Sequence, residues 1–114
     1  MAAALSGVTV VDFTEYIAGP YCTMMLADMG ANVIKVERPQ GDDWRHTAPV
    51  APYESRGYLG VNRGKRSIAI DLDRDEGREI TRRLAARADV IVLNYRPGVA
   101  ERLGLDYEAL SASN

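Results

Sequence analysis

The sequence predicts an α/β fold, a mostly parallel sheet with flanking helices, and three observations carry that expectation. Short β-branched runs recur along the chain, at Val8–Asp12, Val33–Val36, Ser67–Leu72 and Ala88–Leu93, with helical segments between them. The first two runs and the segment joining them make a β-α-β unit of about 30 residues, a crossover that is almost always right-handed and parallel. The runs are also continuously apolar more than alternating, as strands covered on both faces are.

The first strand follows the turn signal Ser6-Gly7. Phe13 to Gly19 is a polar, irregular connection, and Pro20 suits the first turn of a helix, where its missing N–H costs nothing. Cys22, Met25, Leu26 and Met29 then fall at i, i+3, i+4 and i+7, which predicts one apolar helical stripe with Cys22 packed in it. Gly30 closes that helix as a left-handed cap. The second strand ends abruptly in Glu37, Arg38 and Pro39, and the pattern dissolves from there to Gly60, which reads as one long loop. Order resumes at Ser67–Leu72, a strand with Ile68, Ile70 and Leu72 apolar. Asp73 with Glu76 resembles a capping box, opening a helix with Ile80 and Leu84 inward, Arg78, Arg82 and Arg87 outward, and Gly77 as a slight weakness. After the fourth strand and Asn94-Tyr-Arg-Pro-Gly98 come a short helix (Val99–Leu103), a Gly104 stop and a last helical start at Asp106.

At 114 residues, 46% of them apolar and 26% charged, this is the composition of an ordinary globular chain of one domain at most. A net charge of −2 provides no global field for nucleic acid or a membrane surface. The single cysteine excludes an internal disulfide and fits a cytoplasmic location. No apolar stretch is long enough to span a bilayer. Four strands are about half of a doubly wound sheet, so of two readings, a small complete domain or the incomplete N-terminal part of a larger one with Asn114 falling inside it, the second is favoured.

Open parallel sheets bind ligands at the carboxyl ends of their strands, which makes Glu37-Arg38 the first place to look. A dinucleotide reading, with Glu37 on a ribose diol, lacks its phosphate half: only Gly19 stands where a three-glycine fingerprint is needed. The bland alternative for Glu37-Arg38 is a solvated ion pair. Asn62-Arg-Gly-Lys-Arg-Ser67 suits phosphate chemically, although a surface charge run is the commoner explanation for such a hexamer. Arg96 and Arg102 reach back over the sheet edge, and Tyr95 either stacks on a planar base or packs on the following helix. Asp12 and Glu15 either meet a ligand or cap the first connection. His46 is alone, so no metal ligand set is expected, and no nucleophilic set is apparent.

Taken in order, Ala18-Gly-Pro20, Leu26 to Pro39, Gly41-Asp-Asp43 with Arg45, Asn62 to Ser67, Asp71-Leu72, Glu76-Gly77, Ala88-Asp-Val90, Asn94 to Gly98 and Leu103-Gly104 resemble the start of the family III CoA-transferases. The resemblance runs from about Leu5 to Leu110. It implies a longer protein whose large Rossmann-like, CoA-binding domain includes residues 1–114, and whose two subunits interlock as a homodimer. Acyl-CoA and a carboxylic acid would be its substrates, with coenzyme A as co-substrate and no cofactor bound permanently. By match of position, CoA would be held by Ile17 and Ala18, Arg38, Ile70, Asp71, Leu72 and Asp73, Asn94, Tyr95 and Arg96, and Arg102. The family's catalytic aspartate would attack the thioester from a segment beyond Asn114, leaving no catalytic residue in this chain. Two alternatives stay open: an acyl-CoA racemase, related by the Gly64-Lys-Arg-Ser67 and Arg38-Pro39 motifs, and a non-catalytic CoA- or nucleotide-binding fragment. Ile17 stands where oxalate-type members carry an amide. Asp73 stands where many relatives carry lysine.

Overall fold

The computed structural model describes all 114 residues. Its centre is a fully parallel four-stranded sheet of β1 (Thr9–Asp12), β2 (Asn32–Glu37), β5 (Arg66–Ala69) and β6 (Val90–Val92), in the order β5-β2-β1-β6. The chain runs outward from β1 through β2 to β5 and returns to the other side of β1 as β6. The connections after β1 and β6 therefore diverge, and the crevice between them is the topological switch point of the Rossmann-like arrangement.

Pleating assigns the strand residues to two faces. Val11 and Val36 join Phe13, Ile70, Ala88 and Leu105 in one core, flanked by Leu84 of α3 (Asp75–Ala85), Leu103 of α4 (Val99–Leu103) and Leu110 of α5 (Tyr107–Ser111). Val10, Ala31 and Val33 form a smaller core on the opposite face, against Leu26 and Ala27 of α1 (Ala18–Asp28).

Helix α1 turns most of its expected stripe away from the sheet, keeping only Leu26 of it against the smaller core. Its buried residues are Pro20, Thr23 and Met24, whereas Cys22, Met25 and Met29 are exposed. The reason is polar: the Thr23 hydroxyl donates to Asp12 Oδ2 at 2.6 Å, and presenting residue 23 in place of 22 rotates the helix by about 100°. Gly30 does end the helix in the left-handed region, at φ 98°.

The stretch after Pro39 is structured, not one long loop. It holds a 3-10 turn (Asp43–His46), a small antiparallel hairpin of β3 (Pro49–Ala51) and β4 (Glu54–Ser55), and α2 (Arg56–Val61). Asp42 caps the 3-10 turn through the Trp44 amide, and Ser55 caps α2 through the Tyr58 amide. Strand β5 is shorter than expected and lies at the sheet edge, so Ile68 is exposed and Ile70 alone is buried. Strand β6 is the other edge, and Val90 is likewise exposed.

The capping box at Asp73 does not form. Arg74 occupies the N-cap position without a side-chain hydrogen bond, because Asp71 folds its own turn by accepting from the Asp73 amide. Helix α3 buries Gly77, Thr81 and Ala85, while Ile80 is exposed, Leu84 is only half-buried, and the half-buried Arg78 donates to the Leu72 carbonyl. Gly77 is thus no weakness: a Cβ there would sit 1.9 Å from the Asp71 carbonyl oxygen. Alanine would gain about 1 kcal/mol of helix propensity but drive that backbone apart. We expect Gly77→Ala to lower stability by roughly 1–3 kcal/mol in urea unfolding, and an unchanged or raised midpoint would contradict this close packing.

Candidate CoA-binding groove

The pleat that sends Val10 and Val33 to the α1 face sends Asp12, Lys35 and Glu37 there too, next to one another because Asp12 pairs in register with Lys35. All three are buried. Lys65 Nζ lies 3.0 Å from Asp12, and Lys35 Nζ lies 3.0 Å from Asp42. Lys35 also donates to the Thr14 carbonyl at 2.7 Å, and Lys65 to the Pro20 carbonyl at 2.9 Å and the Asn62 amide oxygen at 2.8 Å. Asp12 in turn accepts the Thr14 amide, the turn-capping option for this residue.

Glu37 is the second node. It accepts two bonds from Arg45, at 2.7 and 2.8 Å, and further ones from the Asp42 amide, the Tyr58 hydroxyl and the Ser67 hydroxyl. Arg45 lies 3.7 Å from the centre of the Tyr58 ring, a cation–π contact that locks its fork in place. The alternative of a solvated Glu37-Arg38 pair is therefore not realised; Glu37 turns inward to Arg45, and Arg38 turns out to Asp43. The cationic hexamer is also redistributed: Lys65 is buried, Arg63 pairs with Asp28, and Arg66 donates to Asn32.

These anchors hold a groove of about 450 Å³ over the carboxyl ends of the strands. Arg38 just after β2, Asp71, Leu72 and Asp73 in the turn after β5, and Tyr95 and Arg102 from the segment and helix after β6 line it over Phe13 and Val36. Those six are members of the set anticipated from sequence. The other five do not line it. Ile17 and Ala18 are exposed at the start of α1, and Ile70 is buried in the core. Asn94 clamps the first connection by bonding both the amide and the carbonyl of Glu15, and Arg96 is exposed beyond it. Glu15 itself does line the groove, the ligand-facing one of the two roles its place in the first connection allowed.

Burial shapes the ionisation of these groups. It pushes the half-buried Glu15 carboxyl above its usual range despite the nearby Arg38. It also pushes Tyr95, near Glu15 and Asp12, up to about 12, and Tyr95 packs against the core rather than standing free as a stacking platform. Burial lowers Lys65 below the usual lysine range against the opposing pull of Asp12. For Glu37 burial acts upward, but the bonds from Arg45, the Asp42 amide and Tyr58 outweigh it and hold the carboxyl at about 2.

A folded value of about 2 lies below the unfolded value near 4.5, so Glu37 contributes its stability above pH 4.5 and loses it as pH falls toward 2. We expect roughly 2–3 kcal/mol of acid-sensitive stability in that window, absent from Glu37→Gln in unfolding measured from pH 5 to 2. Equal pH slopes for parent and variant would show that the node is not ionised as described.

The family model described as CoA-transferase family III matches residues 5–114. The chain is 49% identical over 116 residues to a succinyl-CoA:mesaconate CoA-transferase of Haloarcula hispanica, covering 97% of this chain and 29% of that enzyme. It is 50% identical over 108 residues to the human succinyl-CoA:glutarate CoA-transferase, covering 91% of this chain and 24% of that enzyme. The structure of a CAIB/BAIF family protein from Brucella suis superposes with a TM-score of 0.91 at 45% identity, over all of this chain and 32% of that one. The chain thus spans between a quarter and a third of the length of these relatives. With its sequence matched almost end to end and its parallel sheet superposed on a solved member, this chain belongs to CoA-transferase family III.

Proposed function

We propose that the whole protein to which this chain contributes is an enzyme that moves CoA between an acyl-CoA and a carboxylic acid, and that residues 1–114 supply much of its CoA site. The observation that carries this reading is the groove: two guanidinium groups, Arg38 and Arg102, face one crevice at the switch point of a parallel sheet. Guanidinium is the side chain best shaped for phosphate oxygens, and this crevice is where such sheets take nucleotide-like ligands. The names of the relatives, transferases of succinyl-CoA with mesaconate or glutarate, favour transfer over racemisation.

In this reading Arg38 and Arg102 take phosphates of CoA, and Leu72 and Tyr95 flank the adenosine portion. Asn94, through its two bonds to Glu15, positions the connection that forms the mouth. CoA is a substrate here. The catalytic carboxylate comes from an aspartate outside these residues. It attacks the thioester carbonyl and expels the CoA thiolate, leaving a mixed anhydride. The thiolate then attacks the aspartyl carbonyl, which releases the donor acid and leaves an aspartyl-CoA thioester for the acceptor. The family reading extends to an interlocked homodimer and a cytoplasmic location. For the chain itself, no helix is long and apolar enough to cross a membrane.

The test is calorimetric. Arg38→Ala in the full-length protein removes a charge-assisted phosphate contact and should weaken CoA binding about 10- to 100-fold. An unchanged affinity would place the CoA elsewhere.

A further inference from the structure

Both arginines of the groove are already engaged by carboxylates. Arg38 pairs with Asp43 and donates to the Gly41 carbonyl at 3.0 Å, while Glu15 stands 3.9 Å from its Nε. Arg102 pairs with Asp73 at 3.4 Å. Of the charged groups lining the crevice, Glu15, Glu37, Asp71 and Asp73 are acidic and only Arg38 and Arg102 are basic. Glu37 is satisfied from behind by Arg45, so it makes no claim on the arginines. The crevice therefore presents no spare positive charge to an arriving anion.

We propose that Asp43 and Asp73 are internal competitors for the anion. Each occupies an arginine fork in the empty groove, and each must give way before a phosphate engages it. The proposal rests on the reading of this groove as the site of the CoA phosphates. Exposure makes the exchange feasible: Arg102 and Asp73 are 60% and 80% exposed, and Arg38 and Asp43 are both 45% exposed. Pairs so open to water are weak and break readily. A phosphate, with more charge and more acceptor oxygens, outcompetes a carboxylate for the same fork. Asp43 and Asp73 thus set the affinity of the groove without touching the ligand, whereas the buried Glu37–Arg45 pair does not exchange.

The experiment is a pair of double-mutant cycles on CoA affinity in the full-length protein, Asp73→Asn with Arg102→Ala and Asp43→Asn with Arg38→Ala. Each aspartate variant alone should bind CoA about two- to fivefold more tightly, and that gain should vanish when its arginine is alanine. A gain that persists without the arginine would mean general charge repulsion and would overturn the competitor role. So would the absence of any gain while the arginine variants bind weakly; in both outcomes the groove keeps its assignment. Arginine variants that bind CoA as well as the parent would instead overturn the groove assignment itself, and this inference with it.

Discussion

The arrangement depends on six charges clustered beneath the end of the sheet, five with buried side chains and Arg45 half-buried. Asp12, Glu37 and Asp42 are opposed by Lys35, Lys65 and Arg45, so the cluster is formally neutral. Removing such groups from water costs several kcal/mol each, and only close pairing with full hydrogen bonding offsets it. That requirement dictates geometry. Lys65 satisfies Asp12 only if the turn before β5 comes down onto β1, and Arg45 satisfies Glu37 only if the segment after Pro39 folds back across β2. The charges stabilise less than an apolar core of equal volume would. What they contribute is placement, because few alternative packings leave all six satisfied.

Placement is what the ligand-facing side uses. Arg38 follows Glu37 directly, so anchoring Glu37 inward leaves Arg38 directed outward at the rim. The Asp12 turn and the Asn94 clamp hold the first connection on the opposite wall. Cation–π stacking of Arg45 on Tyr58 ties the segment between β2 and β5 into the same unit. The groove walls are thus ordered from beneath by charges held in their own pairs, while the rim arginines remain exchangeable. Rigidity below and weak pairing above suit the proposed binding and release of a multiply charged substrate.

Much of this was legible in the sequence. Continuous β-branched runs and the glycine stop at Gly30 gave the strands and the crossover, and the strand-end rule pointed to Arg38 and Tyr95, with Asp71 added by the family resemblance. Other features were hidden because they depend on partners distant in sequence. The stripe of Cys22, Met25 and Met29 is apolar, yet Thr23 faces the sheet because Asp12 needs its hydroxyl. Glu37 beside Arg38 resembles a local ion pair, whereas its partner stands eight residues on. Lys65 in a basic hexamer resembles surface charge, and nothing local reveals that it reaches Asp12, 53 residues earlier. The signal that was available is the period-two alternation of β2, which places Val33, Lys35 and Glu37 on one face and so marks two buried charges in need of partners.

The central claim is that this charged floor directs Arg38 to the rim, where with Arg102 of α4 it takes the proposed phosphates of CoA. A crystal structure of the full-length protein with CoA bound tests it most directly. The account predicts phosphate oxygens within hydrogen-bond distance of both guanidinium groups, over a floor in which the Glu37–Arg45 and Asp12–Lys65 pairs are unchanged. CoA bound away from these strand ends, or a floor whose pairs break when it binds, would contradict it.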